Sequence, residues 1–383
     1  MKENTYTPQM KDFLRLLKTN EWGSFSFVKD QLENGLISTE DLLRMIGDNH
    51  NLLDVEIVKE CLDQGLFTNA QLAEAGIDQR FLDMLAEWPE KYRFVDMPYV
   101  HTDITEYMDS EAAEVYFWGI PASGKTSVLG TILKAARTGD VLKCLNVKSG
   151  IGMRYYQYLK SVFDHDDCCL PARNPVDMIE PIRTVMTDQK GKDHSVNFID
   201  LSGDLFSAIA WLESGSRELL MDRHIHSLDL LKKLLVFNRV EAPKYHFFII
   251  EYSKEPINFK GFYQDTYLEA GLRYLIANGV LNKPEDRAFV IVTKTDLIKD
   301  DMEEGQDGEQ FLMDYLNKFY VNFLHLLSHH CKKNQINGGS LLTPIPYSIG
   351  EVCFKQLCHV DITSANAVIP QLIARNKKWW DIF

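Results

Sequence analysis

One eight-residue stretch constrains this chain more than any other: Gly119-Ile120-Pro121-Ala122-Ser123-Gly124-Lys125-Thr126. It follows the apolar run Val115–Trp118, which reads as a buried strand, and it opens a helical pattern over Lys125–Ala136. The spacing is G-x-x-x-x-G-K-[ST], and strand before with helix after is the context that spacing requires. Its two glycines let the backbone wrap tightly enough for N–H groups to point inward. Those donors, with the positive end of the following helix, make an anion cradle, and Lys125 and Thr126 stand at its mouth.

The chain beyond this loop has the matching architecture. Val196–Ile199, His246–Ile250, Phe289–Val292 and Thr343–Tyr347 are short, near-continuous apolar runs. Such runs suit strands buried on both faces, hence a parallel sheet covered by helices. Helical patterns over Leu219–Asn238, Asp265–Ala277 and Gly308–His330 supply the cover. Met153–Tyr158 reads as part of an amphipathic helix, and the acidic, glycine-containing Asp300–Glu309 as a solvated loop. The expected fold class is α/β, a P-loop domain with a mostly parallel sheet flanked by helices, preceded by an all-α helical repeat-like module.

That module occupies residues 1–90, which hold no strand-like runs. Val28-Lys29 and Gln31–Ser38 match Val58-Lys59 and Cys61–Thr68 at an offset of 58 − 28 = 30 positions. Each copy reads as an amphipathic helix, a closing glycine, and a Ser or Thr that caps the next helix. Arrays of this kind present surfaces to partners, although a helical lid on the main domain fits equally. Residues 91–112 read as a linker, with Pro89 and Pro98 interrupting helices, 113–360 as the P-loop domain and 361–383 as a helical tail.

Lysine and arginine total 41 against 55 aspartates and glutamates over 383 residues, a net charge of −14. That balance argues against sequence-independent nucleic-acid binding, which needs clustered cations to replace phosphate counterions. No apolar run approaches the roughly 20 residues that span a bilayer, and Met1–Lys11 lacks a secretory core, so a cytoplasmic protein is expected. Lys377-Lys378-Trp379-Trp380 leaves peripheral contact with a membrane or partner open, beside simple packing of the tail. The seven cysteines lack zinc spacing and read as free thiols, and His224, His226, His329 and His330 keep no metal-ligand company.

Three further segments complete the chemistry. Asn197–Gly203 is an apolar strand ending in Asp200, placed for a Mg²⁺-linked carboxylate, with the Gly203 N–H free to turn toward a terminal phosphate. Thr293-Lys294-Thr295-Asp296 closes the strand Phe289–Val292. The Asp296 carboxylate there accepts from the N1–H and N2–H₂ edge of guanine, which adenine cannot offer, and the Lys294 stem lies along the base plane. At Tyr347–Val352, backbone N–H groups of Ser348 and Ile349 are placed for guanine O6.

In this order the four segments resemble the first, third, fourth and fifth motifs of the translation-factor-like class of P-loop GTPases, over roughly Val115–Val352. The resemblance implies a G domain with GTP and GDP as ligands, and Mg²⁺ held by Thr126 and Asp200. It implies phosphate contacts from Gly119, Pro121, Ala122, Ser123, Gly124, Lys125, Thr126 and Ser127, and base contacts from Thr293, Lys294, Asp296, Ser348 and Ile349. Lys125, Gly203 and Asp204 would carry catalysis, and two switch segments would move with the nucleotide. Asp200-Leu201-Ser202-Gly203-Asp204-Leu205-Phe206 is also similar to the D-x-x-G-E pattern of bacterial double-GTPase-type proteins, which are associated with conflict and multiprotein systems.

Three departures bear on turnover. Thr293 stands where the class usually has Asn, and Asp204 where Ras-like members have a water-positioning Gln. The switch threonine is not evident; Thr184, Thr187 and the loop Pro171–Pro175 are candidates, with Arg173 or Arg183 as a cation in cis or as plain surface ion pairs. The expected activity is slow or partner-stimulated GTP hydrolysis, read out as a nucleotide-dependent switch for a protein partner that uses the helical module and switch regions. A scaffold with a weak nucleotide site and a P-loop ATPase are the alternatives.

Overall fold

The structure, a computed structural model, describes residues 5–19, 24–92, 112–171, 174–237, 242–303 and 305–374. Arg173, the linker proline Pro98 and the Lys377–Trp380 tail lie outside the described residues.

The chain begins with six helices: α1 (Pro8–Thr19), α2 (Phe25–Glu33), α3 (Thr39–Asp48), α4 (Val55–Asp63), α5 (Asn69–Glu74) and α6 (Gln79–Ala86). Next come β1 (Ala113–Trp118), α7 (Lys125–Thr138), β2 (Leu142–Val147), α8 (Met153–Phe163), β3 (Asp167–Cys169), β4 (Ile179–Asp188) and β5 (Asp193–Leu201). After these follow α9 (Gly203–Glu213), α10 (Asp222–Lys232), β6 (Lys244–Glu251), the short strands β7 (Asn258–Phe259) and β8 (Phe262–Tyr263), and α11 (Gln264–Ala277). The chain closes with β9 (Arg287–Thr293), α12 (Ile298–Asp301), α13 (Gly308–Phe319), α14 (Val321–Asn334), β10 (Ile345–Tyr347), β11 (Gly350–Cys353), β12 (Leu357–Val360) and α15 (Thr363–Ile373).

These elements form two compact units. The smaller takes Met1–Val95, His165–Pro171 and Gly350–Val360, and the larger takes the remainder. In the smaller unit, α2 and α4 both give way to glycines in the left-handed region, Gly35 at φ +67° and Gly65 at +71°. Ser38 and Thr68 then complete capping boxes with Asp41 and Gln71, each satisfying two orphan amides at a helix start. The apolar faces bury Met10, Phe13, Val28, Leu42, Val58, Leu72 and Leu85 in one core, which also takes in Cys353, Phe354 and Leu357. The antiparallel sheet β11-β12-β3 completes the unit.

In the larger unit, seven strands run in the order β10-β9-β6-β1-β5-β4-β2. The ladders joining β10, β9, β6, β1 and β5 are parallel, while β4 pairs antiparallel with β5 and β2 with β4. The sheet is mostly parallel and flanked by helices, the α/β class expected from the sequence. Side chains alternate across it as a pleat demands. Phe117, Phe198, Phe247 and Phe289 stack along one face, with centroids 4.6–6.4 Å apart. Tyr116, Trp118 and Phe248 line the other, where Phe206 of α9 and Phe323 of α14 meet them.

The antiparallel strands escape a search for apolar runs because β2 buries only Leu142 and most of β4 alternates buried with part-exposed positions. Two helix expectations change in detail. Gly308–His330 divides into α13 and α14 at Tyr320, whose backbone leaves the helical region (φ −128°, ψ 23°). Its phenol is buried and donates to Gln264 Oε1 at 2.7 Å, so tertiary anchoring overrides the helical pattern. The Leu219–Asn238 pattern resolves into α10, preceded by a separate turn at Arg217–Leu219 and followed by a wide π turn at Lys233–Phe237. All seven cysteines are free thiols. Among the described residues no helix is long and apolar enough to cross a membrane.

Candidate nucleotide-binding site

Because β1, β5, β6, β9 and β10 run parallel, their C-terminal ends share one edge of the sheet, where ligands of open α/β sheets bind. All four sequence segments begin at those ends: Gly119 after β1, Ser202 after β5, Lys294 after β9 and Ser348 after β10.

The phosphate loop is closed on itself. Lys125 Nζ donates to Gly119 O and Ile120 O, both at 2.8 Å, and the side chain is buried. Gly119 is required by close approach, since a Cβ there would lie 2.7 Å from Ser123 Oγ and 3.0 Å from Ile249 O. Gly124 is required by conformation, capping α7 at φ +89°. Pro121 is buried, Ala122 is exposed at φ +63°, and the buried Ser123 Oγ has no hydrogen-bond partner. Thr126 and Ser127 follow in the first turn of α7, whose unsatisfied amides face the loop.

Thr126 is the hub of a polar cluster. Its Oγ1 donates to Asp200 Oδ2 at 2.9 Å and accepts from Asn174 Nδ2 at 2.9 Å. The same Asp200 oxygen accepts from Tyr155 OH at 2.5 Å and from Asn174 Nδ2 at 3.2 Å. Asp200 is fully buried, and its other oxygen, Oδ1, has no partner. Burial raises the Asp200 carboxyl above the ordinary range, against the pull of Tyr155, Lys125, Thr126 and Asn174; burial likewise holds the Tyr155 phenol well above its usual value. Glu180 lies directly opposite Asp200 on the β4–β5 ladder. Burial, then repulsion from Asp200, pushes its carboxyl from 4.5 up to about 7, with Arg154 opposing. The buried Asp200 carboxylate, with the Thr126 hydroxyl on its Oδ2, is a hard oxygen set of the kind Mg²⁺ takes, so these residues fit that ion.

Gly203 opens α9 and touches the phosphate loop. A Cβ on it would lie 2.4 Å from Pro121 N and 2.7 Å from Ile120 C. Asp204, one residue on, is buried; its amide donates to Ser202 Oγ at 3.2 Å, and its charge is felt at His224 on α10 and Tyr267 on α11.

At the C-terminal end of β9, Thr293 is buried and its hydroxyl donates to Ser123 O at 2.9 Å and approaches Ile250 O at 3.3 Å. It ties the β9 end to the phosphate loop. Lys294 adopts the left-handed conformation at φ +60° and pairs with Glu251. Ser348 Oγ donates to Asp296 Oδ1 at 2.9 Å, bringing the third and fourth segments together. The Ser348 amide is committed to Ser364 Oγ at 3.1 Å, and Ile349 O accepts from Asp361 N at 2.8 Å, so the Ser348 contribution here is its hydroxyl.

Three sequence candidates are placed elsewhere. Thr184 is buried mid-strand in β4 with its hydroxyl on Val196 O at 2.9 Å, and Thr187 Oγ1 donates to Asp193 Oδ1 at 2.7 Å. Both serve the β4–β5 hairpin. Arg183 donates to Ser149 O. The loop Pro171–Pro175 instead delivers Asn174 to Thr126 and Asp200. Tyr155 and Glu180 had no motif to announce them; Tyr155 sat within an amphipathic pattern, and Glu180 is paired with Asp200 only through an antiparallel register. Among the described residues no group of three or more His, Cys, Asp or Glu side chains is placed to hold a metal.

No protein-family model matches the chain, and no curated protein does. Among solved structures the chain is similar to the S. cerevisiae Ski7 GTPase-like domain, bound to GDP and inorganic phosphate. The identity is 16% and the TM-score 0.32, and the match covers 64% of this chain and 45% of that one. The chain thus spans less than half the length of that protein's chain.

Proposed function

We propose that this chain binds GTP and GDP with Mg²⁺, hydrolyses GTP slowly, and serves as a nucleotide-dependent switch for a protein partner. The observation that carries the reading is the convergence of Thr126, Asn174 and the half-satisfied Asp200 carboxylate at the mouth of the closed phosphate loop. Lys125 rests on two backbone carbonyls; a phosphate offers its ammonium a charged acceptor, and charge-assisted bonds are about twice as strong. Lys125 and the loop amides then take up charge that grows on the phosphoryl oxygens, while the Gly203 amide or Asp204 orients the attacking water. Magnesium, when held by Thr126 and Asp200, supplies further positive charge to those oxygens.

Asp296, steadied by Ser348, gives the preference for guanine, and Thr293 couples that loop to the phosphate loop. Slow turnover follows from Asp204, a buried carboxylate in the place of a glutamine. Asn174 takes the part of the switch residue, and the helical module, in this reading a short repeat array, receives the partner.

Calorimetric titration of nucleotide-stripped protein with GTP, GDP and ATP in Mg²⁺ buffer tests the proposal, with Asp296→Asn alongside. GTP and GDP are expected to bind and ATP not, with the preference reduced at least tenfold in the variant. Equal ATP binding would make the chain a P-loop ATPase, and no binding would leave a scaffold.

A further inference from the structure

Helix α8 belongs to none of the four nucleotide segments, yet one of its side chains ends in their centre. Tyr155, fully buried in the first turn and a half of α8, donates its hydroxyl to Asp200 Oδ2 at 2.5 Å. That oxygen also receives Thr126 Oγ1 and Asn174 Nδ2, so three donors converge on one carboxylate oxygen while its twin has none. A carboxylate oxygen offers about two lone-pair directions, so the third donor is surplus and the grouping is lopsided.

The helix that carries Tyr155 is fixed at both ends to parts of the site. At its start, Gly152 lets the backbone press on β4: a Cβ there would lie 1.7 Å from Pro181 O. At its end the Phe163 ring lies on α7 where Gly130 leaves room, a Cβ on which would fall 2.2 Å from the ring. Asp164, just past the helix, pairs with Arg137 of α7 at 2.6 Å. The helix following the phosphate loop, the strand bearing Glu180, and the Asp200 carboxylate therefore all bear on α8.

We infer that Tyr155 is a positioning residue for Asp200, holding the carboxylate on Thr126 and Asn174 and releasing it when a divalent cation and nucleotide enter. The inference rests on the proposed nucleotide function. Thr126 rests on Asp200 Oδ2, so a cation held by both residues would take that oxygen and compete with the phenol for it; tight cation binding and the Tyr155 bond oppose each other. Release frees α8 from the Tyr155 anchor on Asp200 and makes it a third segment that responds to nucleotide.

The test is Tyr155→Phe, which removes the hydroxyl and keeps the ring, with Tyr156→Phe, one residue along α8, as a control. The readout is the Mg²⁺ concentration at the midpoint of GDP binding, followed by calorimetry. Tyr155→Phe is expected to lower that midpoint by roughly tenfold, the factor that one charge-assisted hydrogen bond carries, and Tyr156→Phe to leave it alone. A second measurement needs no variant: amide hydrogen exchange over 155–163 in the wild-type chain is expected to quicken several-fold when Mg²⁺ and GDP are added. An unchanged midpoint in Tyr155→Phe, or exchange in α8 that is unchanged or slowed, overturns the inference and leaves the nucleotide function standing. Failure of the wild-type chain to bind any guanine nucleotide overturns both.

Discussion

Gly203→Ala isolates the contact between α9 and the phosphate loop. The added methyl would sit 2.4 Å from Pro121 N, 2.5 Å from Pro121 Cα and 2.7 Å from Ile120 C. Ordinary contact needs about 3.5 Å, so α9 and the loop must part by about 1 Å. All three opposing atoms are backbone and cannot rotate away. Overpacking of this kind costs about 1–3 kcal/mol, and a domain of this size loses about 2–4 °C per kcal/mol, which sets the expected drop in Tm at roughly 2–12 °C. The displaced loop includes the Ile120 carbonyl that holds Lys125, so GDP affinity should fall as well, by roughly 10–100-fold if the same strain opposes closure on phosphate. Thermal denaturation followed by calorimetry with GDP measures both. Gly191→Ala is the control: its glycine is at φ +81° with no atom near the added methyl, so it should cost stability and leave affinity intact. If Gly203→Ala keeps the wild-type Tm and GDP affinity, the close approach of α9 to the loop is wrong.

Two further outcomes are expected. Glu180 binds its proton more tightly folded, at about 7, than at the ordinary 4.5, so its contribution to stability is full below pH 4.5 and is lost as pH rises through about 7. Glu180→Gln should therefore gain on the order of 1 kcal/mol over wild type at pH 8 and little at pH 5 in urea denaturation; the same gap at both values would refute the burial argument. Thr293→Val strips the hydroxyl from Ser123 O and Ile250 O and leaves two buried carbonyls short of a donor, costing about 1–3 kcal/mol with weaker GDP binding; denaturant midpoints equal to wild type would show the tether idle.

The five parallel strands were legible because burial on both faces writes itself as continuous apolar runs, and His246–Ile250 and Phe289–Val292 are such runs. Strands β2 and β4 were not, because they lie toward one edge of the sheet, where β2 is mostly exposed and β4 alternates. The phosphate loop was legible because its chemistry is local: eight consecutive residues supply glycines, amides, lysine and hydroxyl. Asn174, Tyr155 and Glu180 reach Asp200 from a loop, a helix and a neighbouring strand, and only the fold brings them within hydrogen-bond or ladder distance. Thr293 illustrates a third case. Its departure from the expected Asn was visible, but that a hydroxyl suffices to reach Ser123 O depends on how closely β9 approaches the loop. Residues 165–171 and 350–360 give no sequence sign that they join the helical unit, since three-residue and four-residue strands carry almost no pattern.

That last sharing has a practical consequence for anyone who would trim the chain. The helical core closes over Phe354, and its backbone is gripped on both sides: Phe354 N–H donates to His50 O at 2.8 Å and Val55 N–H to Phe354 O at 3.1 Å. Asn51 adds bonds to Val352 O and Lys355 N, and Lys355 Nζ pairs with Asp54 at 2.8 Å. Cutting at residue 95 would strip the cover from Cys353, Phe354 and Leu357 and leave a greasy, hydrogen-bond-hungry ribbon on the remaining polypeptide. Such a fragment should aggregate on expression, so that the leading helices behave as a requirement for solubility of the whole chain.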